Sequence, residues 1–185
     1  MKKYPDLKTL QILEYPDPKL REHARRIAEI NAFLQEMSER MAELMRESSG
    51  MGLAATQVGW PFRFVVLAPN PEEERVETYV NPVILSREGK TVQQEGCLSV
   101  PGVLAKVRRA QRVRVRATRA DGETVEMEAE GLLARAWQHE IDHLEGGLFV
   151  DRLSPAARIL VRGRLRELEA GYPRRRKPGC EGELP

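Results

Sequence analysis

Residues 132–144, LLARAWQHEIDHL, decide the fold, because they predict a buried helix at its centre. The apolar positions recur at three- and four-residue steps, the period of an amphipathic helix, and Gly146 and Gly147 follow as a stop signal. His139 and His143 stand four residues apart, so a helix places both imidazoles on one face, one turn apart. We therefore expect a central helix that presents two histidines to one point.

The pattern His139-Glu140-Ile141-Asp142-His143 is typical of a metal site on a helix. Two imidazoles at this spacing can grip one metal ion, and Glu140 then reaches a water molecule bound to that ion. A chance occurrence of the pattern on an exposed helix is the alternative. The chain has three histidines, and two of them fall here among apolar neighbours. This context favours a buried metal site.

A third ligand is needed, since catalytic sites of this kind normally take three protein ligands and keep one position open. A third histidine would complete one protease pattern, but Phe149 occupies its position. Glu167 and Glu169 are weaker alternatives, because they fall in a charged segment typical of an exposed helix face. Cys97 is the better candidate, because a thiolate binds zinc and ferrous iron strongly and Gly96 allows close backbone approach. The alternative for Cys97 is a buried, inert cysteine.

Residues 50–57, GMGLAATQ, form a third candidate segment. Their small side chains let backbone amides approach a ligand, and Gln57 supplies a neutral hydrogen-bond donor. Taken alone, the segment is equally typical of a tight connection between a helix and a strand.

The rest of the chain predicts an α+β fold, with antiparallel β-sheets packed around the central helix. An apolar period from Ile27 indicates an N-terminal amphipathic helix that ends near Gly50, and Ser154-Pro155 predict the start of a C-terminal helix. Alternation and β-branched residues predict strands, followed by a turn at Asp121-Gly122. The predicted strands cover residues 63–67, 78–80, 83–85 and 112–117.

Length and composition predict one soluble domain. The chain has 185 residues, so we expect a single catalytic domain over 1–171 and a basic, disordered tail over 172–185. No apolar stretch approaches a membrane span and no secretory signal is present, which predicts a cytoplasmic protein without membrane contact. The net charge of +2 gives no overall field for nucleic acid, and DNA is not an expected partner.

Three segments together, in this order, resemble the signature motifs of the peptide deformylases: GxGLAAxQ at 50–57, EGCLS at 95–99 and QHExDH at 138–143. The resemblance covers roughly residues 7–170. It implies hydrolytic removal of the formyl group from the N-terminal formylmethionine of newly synthesised polypeptides, with release of formate. It also implies one divalent metal ion, with Fe2+ as the native ion and Zn2+, Ni2+ or Co2+ as other possibilities.

The resemblance further implies a role for individual residues. The metal ligands would be Cys97, His139 and His143, with Glu140 as general acid and base. Gln57 through its side chain and Leu98 through its backbone would donate hydrogen bonds to the oxyanion. The peptide backbone would pair near Met51, Gly52 and Gly96, and the methionine pocket would be walled by Leu132, Arg135 and Ala136. We expect the stem of Arg135 to pack there while its charged end reaches water.

Some positions depart from the family pattern or add to it. Leu104 stands where many members carry an arginine, and Arg108 replaces a frequent proline, which puts peptide-length preference in question. Glu95 and Arg109 are expected to pair beneath the site and hold the cysteine loop. Arg112, Arg114 and Arg116 alternate with valines, which predicts the solvent-facing side of a strand.

Two alternatives concern partners. The first is a deformylase-like binding protein that keeps its metal as a structural clamp; loss of Glu140 or Gln57 would have favoured it. The second concerns residues 152–185, which hold nine Arg or Lys against four Glu. This surplus could contact ribosomal RNA, or it could be a solvated helix with a solubilising tail.

Overall fold

The structure, a computed structural model, describes residues 4–70 and 75–172. Its helices are α1 (Ala32–Glu47), α2 (Gly131–Leu144) and α3 (Pro155–Gly171). Its strands are β1 (Gly52–Ala54), β2 (Phe64–Leu67), β3 (Glu77–Glu88), β4 (Thr91–Glu95), β5 (Ala105–Arg109), β6 (Arg112–Arg119) and β7 (Thr124–Glu130). Short 3-10 turns cover Leu7–Thr9, Pro18–Arg21, Ala55–Val58 and Phe149–Arg152. This element order confirms the α+β class.

All strand pairs are antiparallel. Five strands form one sheet in the order β1-β2-β3-β6-β7, and β4 pairs with β5 in a separate two-stranded sheet. Strand β1 therefore lies at an edge of the larger sheet. No helix among the described residues is long and apolar enough to cross a membrane. The predicted tail at 172–185 lies, beyond its first residue, outside the described residues, and the single-domain assignment remains a prediction.

Strand β2 lies between two helices, which explains why all four of its residues are buried. Side chains of a strand alternate between its faces. Phe64 and Val66 pack in a cluster with Met41 of α1, whereas Val65 and Leu67 pack in another with Trp137 of α2. The predicted helix at 132–144 is thus confirmed within one residue, and it lies against the five-stranded sheet.

Helix α1 begins at Ala32, so the predicted start near Ile27 was wrong. The backbone of Ile27 is held by Asn81 instead: Ile27 N donates to Oδ1 at 2.9 Å, and Nδ2 donates to Ile27 O at 2.8 Å. Ile27 and Ile30 still pack against the cluster under α1. The apolar spacing that suggested a longer helix therefore comes from tertiary packing of the residues before Ala32.

Other local predictions are confirmed. Ser154 caps α3 by accepting a hydrogen bond from Ala157 N at 3.2 Å, with proline at the first helical position. The β6–β7 hairpin turns at Asp121-Gly122, and the arginines of β6 face solvent while its valines are buried. The segments 78–80 and 83–85 proved to be one strand, β3, which bulges at Asn81 and Pro82. Asn81 takes a positive φ of 53° there.

Candidate metal centre

Cys97, His139 and His143 meet at one point. Their ligand atoms all lie within 4.8 Å of one another, and Cys97 Sγ is 3.2 Å from His143 Nε2. Helix α2 supplies both imidazoles from successive turns, and the loop after β4 supplies the thiol. One soft sulfur and two imidazoles suit zinc or ferrous iron, and three protein ligands leave a position free. The residues present therefore fit a catalytic metal ion.

The cysteine loop is held by tight local packing. Val100 N donates to Cys97 O at 2.9 Å, and Tyr15 N donates to Ser99 O at 2.7 Å. A Cβ on Gly96 would stand 2.7 Å from Leu104 Cδ2, closer than real Cβ contacts come. Glycine is therefore required before the thiol unless Leu104 moves.

Glu95 orients the first histidine. Its carboxylate accepts two hydrogen bonds from Arg109, at 2.9 Å each, and lies 3.3 Å from His139 Nδ1. Burial acts to raise the pKa of Glu95, but the bonds from Arg109 and His139 outweigh it and hold that pKa well below its usual range. The ionised carboxylate occupies Nδ1 and leaves Nε2 of His139 for a metal. The predicted Glu95–Arg109 pair is confirmed.

The network of buried ion pairs extends from Arg109 toward the surface. Asp142 pairs with Arg109 on one side and with Arg152, which is half exposed, on the other. Because each buried charge has partners, the large cost of burying an isolated ion is avoided. The network ties α2, β5 and the turn before α3 together behind the metal ligands.

The orientation of the Arg135 side chain differs from the prediction. Its charged end was expected to reach water, but the residue is 3% exposed. The guanidinium pairs with Glu95 and donates to Val107 O at 3.1 Å. The buried carboxylate of Glu95 attracts the guanidinium inward more strongly than solvation attracts it outward. Arg135 still lines the cavity beside the metal ligands.

Glu140 differs from the buried carboxylates Glu95 and Asp142 because it pairs with no cation and its Oε2 has no hydrogen-bond partner among the described residues. Burial raises the pKa of Glu140 to about 7, so proton uptake and release near neutral pH are both accessible. A Cβ on Gly52 would stand 2.6 Å from Glu140 Oε1. The glycine therefore makes the space in which this carboxylate lies.

Gln57 is buried beside Cys97. Its Oε1 accepts from Ala54 N at 2.9 Å, which fixes the amide, while Nε2 donates to Ser99 Oγ at 3.1 Å and lies 3.7 Å from Cys97 Sγ. The Leu98 N–H has no acceptor among the hydrogen bonds of the described residues. The segment 50–57 is thus both a helix-to-strand connection and part of the site.

A cavity of about 510 Å³ opens beside these groups. His143 is 1% exposed and does not line this cavity. All the other predicted site residues line it: Met51, Gly52, Gln57, Gly96, Cys97, Leu98, Leu132, Arg135, Ala136, His139 and Glu140. Leu104, which the sequence analysis singled out as a departure from the family pattern, also lines the cavity, and so do Val100 and Val103, which were not predicted. Only their nearness to Cys97 in sequence hinted at this, because the lining depends on how the loop folds back. Glu167 and Glu169 do not join the site; they bind Arg164 and Tyr15.

The sequence profile of the family described as Polypeptide deformylase matches residues 9–158. The chain belongs to this family. The peptide deformylase of Chromobacterium violaceum is 45% identical over 160 residues, which cover 86% of this chain and 96% of the relative. That of Alkalilimnicola ehrlichii is 48% identical over 160 residues, covering 86% and 90%.

Solved deformylase structures share the fold. Arabidopsis thaliana peptide deformylase 1B in complex with an inhibitor superposes with a TM-score of 0.83 at 38% identity, covering 87% of this chain and 91% of that one. A peptide deformylase from Legionella pneumophila gives 0.80 at 40% identity, covering 89% and 99%. Members of the family are metal-dependent hydrolases that remove the N-terminal formyl group from nascent polypeptides. The activity expected from the three motifs is therefore that of this chain.

Proposed function

We propose that Cys97, His139 and His143 hold one divalent metal ion, Fe2+ in the cell, and that Glu140, Gln57 and Leu98 perform deformylation around it. The observation that carries this proposal is the meeting of three ligand atoms within 4.8 Å beside a buried carboxylate whose Oε2 lacks a partner in the described chain. A thiolate with two imidazoles suits ferrous iron and also Zn2+, Ni2+ or Co2+. Iron is the choice that the family resemblance favours.

A metal ion at this site would lower the pKa of a bound water and polarise the formyl carbonyl. Glu140 takes the proton released when water adds to that carbonyl, since its Oε2 is free and its pKa of about 7 suits transfer in either direction. The same carboxylate then returns the proton to the departing amine. Formate and a peptide with a free N-terminus leave the site.

Charge that develops on the carbonyl oxygen is met by two donors of this chain. The Gln57 amide is oriented by bonds to Ala54 N and Ser99 Oγ, and the Leu98 N–H has no acceptor among the hydrogen bonds of the described residues. Donors fixed in advance act more strongly in a buried site than in water. We expect the loss of either one to slow turnover by about 10²-fold or more.

The substrate backbone is proposed to add to the free edge of β1 at Met51 and Gly52 and to contact Gly96 across the cavity. An edge strand offers unpaired N–H and C=O groups to an extended peptide, and β1 has only β2 as a neighbour. The methionine side chain enters between Leu132, Arg135 and Ala136. Arg135 is compatible with an apolar pocket because its charge is neutralised by Glu95.

We also propose that the C-terminal segment contacts ribosomal RNA in the cytoplasm, where nascent chains are made. On α3, Arg162 and Arg166 share a face with Ile159, and neither arginine has a carboxylate within 4.0 Å among the described residues. Ile159 is 64% exposed. Arginines without a carboxylate partner on one exposed helix face suit a phosphate-rich surface.

The catalytic proposal is tested by formate release from formyl-Met-Ala-Ser. The protein is purified anaerobically, and its metal content is measured on the same sample, with Glu140→Ala as control. We expect about one metal per chain and turnover that the variant loses. Bound metal without formate release would instead indicate a binding protein that uses the metal as a clamp.

Ribosome contact is tested by co-sedimentation at several salt concentrations. Truncation after Gly171 and the variant Arg162→Glu/Arg166→Glu should each weaken binding, and the salt dependence should become shallower. Lys8→Glu/Arg26→Glu is the control, because it makes the same change in net charge at exposed positions outside the segment. Binding that neither change weakens would exclude the C-terminal segment as the contact.

A further inference from the structure

A second, larger depression lies against the outer face of the β4–β5 sheet, and we call it the distal groove. The first turns of α3 form its other wall, and its volume is about 1130 Å³. Gln94 and Leu104 line both the distal groove and the cavity beside the metal ligands. The two depressions therefore adjoin at these residues, and a chain that leaves the metal site past Leu104 would enter the groove.

The groove is positively charged. Lys90, Lys106, Arg108 and Arg152 line it, and no Asp or Glu is among its described lining residues. Arg152 is paired with Asp142, but the other three cations have no carboxylate within 4.0 Å in the described part of the chain. Unneutralised cations along one groove favour an anionic occupant.

The floor between these cations is apolar and open to solvent. Val92 is 58% exposed, Leu104 63% and Leu160 85%, and all three line the groove. No aromatic residue is among its described lining, so bases of a nucleic acid would find no ring on which to stack. Cations at the rim and aliphatic side chains on the floor suit an acidic polypeptide better than RNA.

We propose that the distal groove binds the downstream part of the substrate polypeptide and favours acidic sequences there. This inference rests on the proposed function, because it extends the same peptide path. An extended chain advances about 3.3 Å per residue. A chain that passes Leu104 and then follows β4 back to Lys90 therefore places about its fourth to eighth residues in the groove. Leu104, which is 63% exposed and lines both depressions, contributes an apolar contact at the entrance.

The test uses formylated octapeptides that share Met-Ala-Ser and carry Asp, Asn or Lys at three of the last five positions, with an amidated C-terminus. At low salt we expect kcat/KM for the Asp peptide to exceed that for the Asn peptide by about fivefold, the size expected for a few exposed ion pairs. The Lys peptide should be the poorest substrate. Because exposed charges are screened by salt, the order should largely vanish near 1 M NaCl.

The variant Lys106→Glu/Arg108→Glu should make the Lys peptide a better substrate than the Asp peptide. Lys106→Gln/Arg108→Gln should abolish the preference without reversing it, which separates charge from any disturbance of β5. Lys8→Glu/Arg26→Glu is the control for net charge and should keep the wild-type order. All of these proteins should hydrolyse formyl-Met-Ala-Ser at the wild-type rate, since that tripeptide ends before the groove.

Two results would overturn the proposal: equal kcat/KM for the three octapeptides in the wild type, or a preference that Lys106→Glu/Arg108→Glu leaves unchanged. Failure to hydrolyse formyl-Met-Ala-Ser would instead refute the proposed function. Anisotropy titration with fluorescently labelled, unformylated octapeptides still tests the groove in that case. A short RNA that competes in this titration, with no ranking among the peptides, would assign the groove to nucleic acid and contradict the peptide proposal.

Discussion

Glu95 and Glu140 are both buried, at 6% and 4% exposure, and both adjoin His139, one through space and the other through the chain. Arg109, Arg135 and His139 surround Glu95 and keep its pKa well below the usual range. Glu140 has burial without such partners, and burial raises its pKa to about 7. Burial alone therefore does not assign a role to a carboxylate. Its partners decide whether it fixes a ligand or transfers a proton.

The largest effect is expected from changing Glu140, the carboxylate that we propose transfers the proton. Glu140→Gln keeps the shape of the side chain but cannot take up a proton, so kcat should fall by roughly 10²- to 10⁴-fold. Metal content should stay near that of the wild type, because Glu140 is not a ligand. Formate release and metal analysis on one sample check this. The exposed Glu128→Gln is the matched control, and a turnover equal to that control would refute the role of Glu140.

Removing Arg109, a partner of Glu95, should lower both the stability of the fold and the retention of metal. Arg109→Ala leaves Glu95 and Asp142 each short of a buried cation, and breaking a buried pair costs about 3–5 kcal/mol. Urea denaturation should show this loss in the free energy of unfolding, with weaker metal retention because His139 is less well oriented. Arg112→Ala removes only an exposed pair with Glu130 and should cost at most about 1 kcal/mol. Unchanged metal content and activity in Arg109→Ala would show that the pair does not support the site.

The sequence predicted the parts of the molecule that short-range spacing determines. His139 and His143 share a helix face because of their spacing, and the hairpin turn at Asp121-Gly122 and the Ser154 cap are equally local. The agreement of three motifs also brought Cys97 to the site, although 42 residues separate it from His139. The chemistry of the thiol already favoured Cys97, but only the family resemblance separated a ligand from a buried, inert cysteine, because no local rule relates positions so far apart.

What the sequence did not predict depends on tertiary partners. Ile27 lies outside the helix because the side chain of Asn81, distant in sequence, bonds to its N–H and C=O. Arg135 turns inward because Glu95 is buried next to it, and Leu104 lines the cavity because its loop folds back over Gly96. Pairing of charges is also a tertiary property. The arginines of β6 pair with glutamates of β7. On β5, by contrast, Lys106 and Arg108 stand opposite Gln94 and Val92 of β4, which carry no charge.

A smaller effect is expected when the Glu140 carboxylate is displaced by a substitution at a neighbouring residue, Gly52. In Gly52→Ala the added methyl would stand 2.6 Å from Oε1 of Glu140 and 2.7 Å from Leu67 Cδ2. Both contacts are too close, so the Glu140 carboxylate and Leu67 must both shift. A misplacement of about 1 Å can cost 10²-fold in rate, and we expect a loss of about that size in kcat/KM. Gly163→Ala on α3 is the control, because its methyl meets nothing within 4 Å among the described residues. It should raise stability by about 1 kcal/mol and leave turnover unchanged. Equal activity of both variants would mean that the Glu140 carboxylate tolerates displacement.

The smallest effect is expected from a carboxylate at the surface. Asp151 pairs with Arg21, and both side chains are about two-fifths exposed. Burial acts to raise the pKa of Asp151, but the bonds from Arg21 and Leu148 N lower it below 3.8. The ionised form is thus favoured in the folded state, so its stabilisation is present above pH 3.8 and disappears as the pH falls through the lowered value. Asp151→Asn should therefore cost at most about 1 kcal/mol at pH 6, and that difference from wild type should shrink at pH 3. Urea denaturation at both pH values measures it. A loss at pH 6 as large as that of Arg109→Ala would mean that exposure does not weaken this pair, and the contrast between buried and exposed carboxylates would fail.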